Sequence, residues 1–241
     1  MEKTNKNPAY LLPFRSIAFL LVFVIGAMLT GKALNDITCW WSIVASAVNI
    51  VTIAILYVSA KQSGMSYREL LRLKKEKLTF GRIIVLPVLA AVIGMAGMYL
   101  AGFICYGAIM PRVTLDVIAP IPAVLAIANL IILPATVSFA EDGLYLGCGV
   151  NNISNRYAAI LLPAFFYAIQ HCFIPTIFDA RYMTYRFLSF LPLTVIFCVY
   201  YYKKRDPLPI MIGHTLLDLA TGMMILSTSV IPGVYDKMSA M

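Results

Sequence analysis

Ionisable side chains inside apolar segments are the feature of this sequence most able to carry chemistry. Both histidines and three of the eleven acidic residues lie in long apolar stretches. These residues are Glu141, Asp142, His171, His214 and Asp218. At membrane depth each would cost at least a few kcal/mol unless it were paired. Their grouping in three neighbouring segments predicts one buried polar site, and carboxylates beside imidazoles suit general acid–base catalysis.

The adjacent carboxylates of Glu141 and Asp142 follow an almost wholly apolar run over residues 130–139. Two neighbouring carboxylates in a low-dielectric site cannot comfortably both be ionised. A carboxylate in such a site is a candidate general base, and Glu141 leads the pair. The alternative is a polar cap where the helix leaves the membrane.

Two further pairs are spaced four residues apart. His214 and Asp218 therefore share one face of a helix, where the carboxylate can fix the tautomer of the imidazole. Tyr167 and His171 have the same spacing on one earlier apolar segment. Similar numbers of residues separate Glu141 and His171 from the turn at 151–156, so on antiparallel helices both are expected at one depth. The pattern predicts a shared cavity, nearer the cytosol.

The elements that position these residues are predicted to be membrane-spanning helices. The composition is 61% hydrophobic and 12% charged, and the mean hydropathy is +0.85, values typical of a polytopic membrane protein. We predict an all-α transmembrane bundle forming a single domain over residues 1–241, with a four-helix catalytic core. Seven segments approach the ~20 residues that a spanning helix needs: 14–32, 38–60, 83–110, 121–150, 157–175, 187–202 and 208–231. A split of the last segment near Ser227 would add an eighth span.

The distribution of basic residues predicts the orientation. With the N-terminus inside, 14 Lys and Arg residues lie on the cytoplasmic side and five on the other, which favours a cytoplasmic N-terminus. The net charge of +8 follows mainly from this bias, so the lipid bilayer is an expected partner and nucleic acid is not. The basic loop 61–82 is expected to include a short interfacial helix over 67–77. The five cysteines have no C-x-x-C pair and are expected to be packing residues.

Taken together, the three polar motifs resemble those of the CPBP (Abi) family of intramembrane proteases, which includes the CAAX prenyl endopeptidases. The family pattern is E-E-x-x-x-R, then F-x-x-x-H, then H-x-x-x-N or H-x-x-x-D. In this sequence Asp142 takes the place of the second glutamate and Leu146 takes that of the arginine. Tyr167 replaces the phenylalanine and keeps the ring. The resemblance covers about residues 120–225.

The resemblance implies proteolysis of a membrane-associated peptide or protein near the cytoplasmic face, in a bacterial cell membrane. Glu141 would deprotonate a water molecule with assistance from His171, and His214 would donate to the developing oxyanion. Asp218 would orient His214 through the other ring nitrogen. Tyr167 and Tyr145 are expected to contact the substrate.

Three alternatives remain open from the sequence. Glu141, His171 and His214 could instead bind Zn²⁺ with a water in the fourth position, although the preferred mechanism needs no cofactor. A catalytically degenerate relative could bind peptides or confer bacteriocin immunity, which the loss of the arginine at Leu146 would favour. A proton-coupled carrier would also use buried acids and histidines, but no inverted repeat is visible.

Overall fold

The computed structural model describes residues 8–73 and 77–240 and is helical. Helices account for 82% of the structure, and these residues form no strand, which confirms the all-α prediction. The α-helices are α1 (Phe14–Thr30), α2 (Leu34–Ile37), α3 (Trp41–Gln62), α4 (Tyr67–Leu70), α5 (Leu86–Tyr106), α6 (Ala123–Asp142), α7 (Arg156–Ile169), α8 (Ala180–Lys204), α9 (Leu208–Val230) and α10 (Val234–Ser239).

Shorter helical segments connect or extend these elements. Two are π-helical, Gly81–Val85 before α5 and Gly143–Val150 directly after α6. Four are 3-10 turns, Pro8–Leu11, Thr38–Trp40, Arg112–Ile118 and Gln170–Cys172. The two that matter for the polar residues are the π segment after Asp142 and the turn that ends α7.

In the part of the chain that the structure describes, six helical segments are long and apolar enough to cross a membrane, and they agree with six of the seven predicted spans. They are Ala9–Thr30, Leu34–Gln62, Gly81–Tyr106, Ala123–Val150, Ala180–Lys204 and Leu208–Val230. The segment predicted at 157–175 is instead the 14-residue α7. This helix covers only about 21 Å, less than the ~30 Å of the hydrocarbon core. The split expected near Ser227 is absent, because α9 continues to Val230.

Five helices form a ring around the polar residues. α6 packs against α9, α9 and α8 both pack against α5, and α7 packs against α8. The π segment Gly143–Val150 contacts both α6 and α7 and so closes the ring. α3 and α1 lie outside it, with α3 against α6 and α1 against α3 and the 170–172 turn. The helices α6–α9 of the predicted core are therefore completed by α5, which sequence patterns did not single out.

The loop before α5 packs inward against the π segment. Ser66 and Glu69 form a capping box that starts α4, and the hydrogen bonds from Ser66 lower the pKa of the exposed Glu69 carboxyl. Tyr67 donates a hydrogen bond to the Phe139 carbonyl, and a side chain at Gly143 would collide with the tyrosine hydroxyl. The predicted interfacial helix over 67–77 is thus only partly correct. Helix α4 ends at Leu70, and residues 74–76 lie outside the described part of the chain.

Candidate active site

Glu141 lies near the end of α6 and is held by an arginine from the first helix. Arg15 Nη2 donates to Glu141 Oε1 at 2.6 Å, and the arginine side chain is completely buried. The other guanidinium nitrogens donate to Asn49 Oδ1 at 2.8 Å, Thr52 Oγ1 at 3.3 Å and Gln170 Oε1 at 2.7 Å. Because every nitrogen of the guanidinium has an acceptor, the burial of this charge is compensated.

Gln170 connects this ion pair to the aromatic residues of the site. Its Nε2 donates to Glu141 Oε2 at 2.8 Å, while its Oε1 accepts from Arg15 and, at 3.1 Å, from the Tyr145 hydroxyl. The ring of Tyr145 stacks on that of Tyr167 with 4.5 Å between centroids. Both Glu141 oxygens therefore have a fixed donor, which holds the carboxylate in one orientation.

His214, on α9, lies among three carboxylates. Its Nε2 is 3.3 Å from Asp218 Oδ2 and 3.7 Å from Glu141 Oε2. Its Nδ1 is 2.9 Å from the Tyr167 hydroxyl and 3.5 Å from Asp142 Oδ2. Tyr167 donates its single proton to Asp142 Oδ1 at 2.9 Å, so the contact with Nδ1 requires that the imidazole donate.

The contact expected of Asp218 is made by Asp142 in this arrangement. Asp218 was predicted to orient His214 through the nitrogen that does not face the reaction, yet it contacts Nε2, the nitrogen that also faces Glu141. The opposite nitrogen is held by Asp142 through the Tyr167 hydroxyl. The i, i+4 spacing correctly placed Asp218 beside the imidazole but could not identify the ring nitrogen.

His171 is separated from this network. Its Nδ1 contacts the Tyr167 carbonyl oxygen at 2.9 Å, and its ring stacks on Phe190 with centroids 3.5 Å apart. The ring of Tyr167 lies 6.4 Å from that of His171 and 5.9 Å from that of His214. The turn that ends α7 directs Gln170 to Glu141 and its neighbour His171 toward α8. No hydrogen bond joins His171 to Glu141 in the described chain, and the cavity predicted for the two residues stays a prediction.

The burial of these residues indicates where the site opens. The side chains of Glu141 and Asp142 are 5% and 0% exposed, whereas that of Asp218 is 20% exposed. Asp218 therefore marks the most accessible edge of the site. Tyr145 and Tyr167, predicted to contact the substrate, are only 0% and 2% exposed. Their rings pack inside the network, so they position its polar groups.

The residues expected to bind zinc do not converge. Within residues 8–73 and 77–240, no group of three or more His, Cys, Asp or Glu side chains is arranged to hold a metal ion. The cause is that His171 stacks on Phe190, whereas Glu141 lies beside His214. The described geometry thus does not fit the three-ligand set.

Arg15 and Gln170 are the site residues that the sequence motifs missed. Arg15 lies 126 positions from Glu141 and resembled one of the cytoplasmic charges that orient the chain. The available signal was its position within the first apolar segment, together with the polar Asn49 and Thr52 in the second. Gln170 directly precedes His171 and is likewise a polar residue in an apolar segment.

Comparison with known proteins agrees with the helices that carry the site. Residues 123–220 match the family model described as type II CAAX prenyl endopeptidase Rce1-like. Neither the search of curated proteins nor that of solved structures gives a significant match. The matched segment includes α6–α8 and the first part of α9, and therefore all five ionisable residues of the three motifs, while Arg15 lies outside it. Residues 123–220 are therefore similar to the Rce1-like domains of the CAAX prenyl endopeptidase (CPBP) family.

Proposed function

We propose that this protein is an intramembrane endopeptidase that cleaves a membrane-associated peptide or protein with a water molecule activated by Glu141. The observation that carries the proposal is the buried network of Arg15, Gln170 and His214 around this carboxylate, which lies in the segment similar to Rce1-like domains. Such a network holds a catalytic carboxylate in place before the substrate arrives, so little reorganisation is needed during the reaction.

In the proposed reaction, Glu141 takes a proton from the water while the water oxygen bonds to the scissile carbonyl carbon. The carbonyl oxygen becomes an oxyanion and accepts a hydrogen bond from His214 Nε2–H. Since Nδ1 of the same ring also donates, His214 acts here as an imidazolium, with Asp142, Glu141 and Asp218 around it. When the tetrahedral intermediate collapses, the carbon–nitrogen bond breaks and the proton held by Glu141 passes to the leaving nitrogen. The products are a new carboxylate and a new amine. Asp142 and Tyr167 hold His214 through its Nδ1.

The surroundings of the site favour access from the lipid-facing edge near the cytosol. Glu141 and His214 lie in the halves of their helices that adjoin the basic loops. Arg205, directly after α8, donates to Asn151 at the end of the π segment at 2.7 Å, so these two helix ends lie on one side of the protein. The sequence assigns 14 of the 19 basic residues to that side, and we propose that the N-terminus is cytoplasmic and that the protein resides in a bacterial cell membrane. A substrate already anchored in the bilayer could then present its peptide bond to the Asp218 edge.

The alternative of a degenerate, peptide-binding relative depended on Leu146 in place of the family arginine. Arg15 supplies a guanidinium to Glu141 from another helix, with 2.6 Å between Nη2 and Oε1. Arg15 therefore supplies the positive charge that the motif lacks at Leu146. This contact favours a catalytic protein over a degenerate one.

His214→Ala tests the role of the imidazole. We expect kcat to fall by about 10²–10³-fold, since one hydrogen-bond donor to the oxyanion is lost. The rate should be measured with purified, reconstituted protein and a peptide that the wild type cleaves. A rate near that of the wild type would exclude His214 as the oxyanion donor.

Removal of metal distinguishes the proposed mechanism from zinc chemistry. We expect prolonged treatment with strong chelators to leave cleavage unchanged, because a carboxylate base needs no ion to activate the water. Elemental analysis should then find zinc well below one atom per chain. Stoichiometric zinc that disappears in His214→Ala, with activity restored only by added metal, would instead establish a metalloprotease.

A further inference from the structure

Arg186 is a buried cation that the site described above does not use. The residue is 5% exposed, and no carboxylate of the described chain forms an ion pair with it. Its guanidinium donates instead to two backbone carbonyls, with Nε 3.3 Å from the oxygen of His171 and Nη2 2.7 Å from that of Ile174. An arginine buried without a carboxylate is costly, so its contacts with this particular turn require an explanation.

The same arginine also acts on the His171 ring through an aromatic residue. The guanidinium carbon lies 5.0 Å from the centroid of the Phe190 ring, one helical turn further along α8. The same Phe190 ring stacks on the His171 imidazole, with a centroid distance of 3.5 Å and an interplanar angle of 11°. Arg186 therefore fixes the backbone of His171 directly and its ring through Phe190.

The remaining contact of His171 determines which nitrogen carries the proton. Its Nδ1 lies 2.9 Å from the Tyr167 carbonyl oxygen, which can only accept a hydrogen bond. Nδ1 must therefore carry the hydrogen. In the neutral ring Nε2 then has the lone pair and acts as a hydrogen-bond acceptor.

We propose that Arg186 and Phe190 are positioning residues that hold His171 as the Nδ1-protonated tautomer, with Nε2 presented as an acceptor for the attacking water. The role toward water rests on the proposed function, whereas the tautomer and its dependence on Arg186 do not. An acceptor at Nε2 complements Glu141. A water molecule that donates one hydrogen to Nε2 of His171 can donate the other to the Glu141 carboxylate. This assigns the two histidines opposite tasks, with His214 donating and His171 accepting.

The chain has only two histidines, so the tautomer can be measured directly. The full-length protein would carry ¹⁵N-labelled histidine in lipid nanodiscs at neutral pH, with His214→Gln used to assign the two rings. We expect His171 to show a protonated Nδ1 and an unprotonated Nε2. A protonated Nε2 on His171 in the wild-type protein would overturn the proposal whether or not any peptide is cleaved.

Arg186→Gln tests the dependence on the arginine. We expect a mixture of tautomers at His171 and a fall in kcat of about 10–100-fold with KM nearly unchanged, as for small displacements of a catalytic group. Arg186→Lys should recover part of both properties. Arg181→Gln is the matched control, because this exposed arginine on the same helix also donates to a carbonyl, that of Cys105, and also lies over a ring, that of Tyr106.

Phe190→Leu keeps the test decisive if Arg186→Gln does not fold. This change removes the ring that contacts both Arg186 and His171, but Arg186 can still donate to the carbonyls of His171 and Ile174. The ¹⁵N spectrum of His171 should again show mixed tautomers. A wild-type spectrum and wild-type kcat in a folded Arg186→Gln or Phe190→Leu protein would refute the positioning role.

Discussion

Glu141→Gln is expected to lower the rate of peptide cleavage by about 10²–10⁴-fold. The amide keeps the size of the side chain and can still accept a hydrogen bond from Arg15, but it cannot take a proton from water. Single-turnover cleavage by the reconstituted variant measures the effect. Folding should be followed in the same samples by thermal unfolding, because Arg15 loses its charged partner.

Glu69→Gln is the matched control for this experiment. Glu69 is exposed and belongs to the capping box of α4, away from the buried network. Its replacement should leave the cleavage rate unchanged. Full activity of a folded Glu141→Gln protein would remove Glu141 from the role of general base and with it the proposed mechanism.

Arg15→Leu is expected to cause the second large loss, in both stability and activity. Removing one partner of a buried ion pair costs about 3–5 kcal/mol, because the other charge stays buried without compensation. Glu141 and Gln170 would also lose their shared donor, so we expect cleavage to fall by at least about 10²-fold. Arg15→Lys should be intermediate, since an ammonium cannot reproduce the fork of donors that reaches four side chains.

Returning the arginine to the motif position should reverse part of this loss. Position 146 lies in the π segment, five residues after Glu141 near the end of α6. Residues five apart in a π-helix are about one turn apart, so we expect a side chain at 146 on the same side as Glu141. The exchange Arg15→Leu with Leu146→Arg keeps the composition and should recover activity relative to Arg15→Leu alone. Arg156→Leu, at an exposed arginine, is the control for loss of positive charge.

Thermal unfolding and cleavage rates of these variants decide the outcome. Wild-type stability and rate in Arg15→Leu would show that Glu141 does not depend on this guanidinium. An exchange variant no better than Arg15→Leu would show that a side chain at position 146 does not reach the carboxylates.

The motifs predicted much of the site because they follow local helical periodicity. The i, i+4 spacing of His214 and Asp218 places the two side chains in contact, 3.3 Å apart, as expected. The depth argument paired Glu141 with His171, whereas the histidine that the structure places nearest to it, at 3.7 Å, is His214. Both inferences need only the rise and period of a helix, which the apolar pattern indicates.

The interactions that sequence patterns missed depend on contacts between distant parts of the chain. Arg15 reaches Glu141 only because α1 packs beside the 170–172 turn, and no local pattern pairs residues 126 positions apart. His171 makes no hydrogen bond to Glu141 in the described residues, because α7 ends in a 3-10 turn after 14 residues, whereas the apolar sequence continues beyond it. A regular helix through this segment would have placed His171 differently.

The most direct test of the central claim is to look for peptide bonds that are cut only when Glu141 is present. Wild-type and Glu141→Gln proteins in liposomes would be incubated with a farnesylated CAAX peptide and with a pool of single-span hydrophobic peptides, and new termini identified by mass spectrometry. We predict defined new termini with the wild type that are absent with Glu141→Gln and unaffected by chelators. Identical products from both proteins, or no cleavage of any peptide by the wild type, would contradict an endopeptidase that uses Glu141.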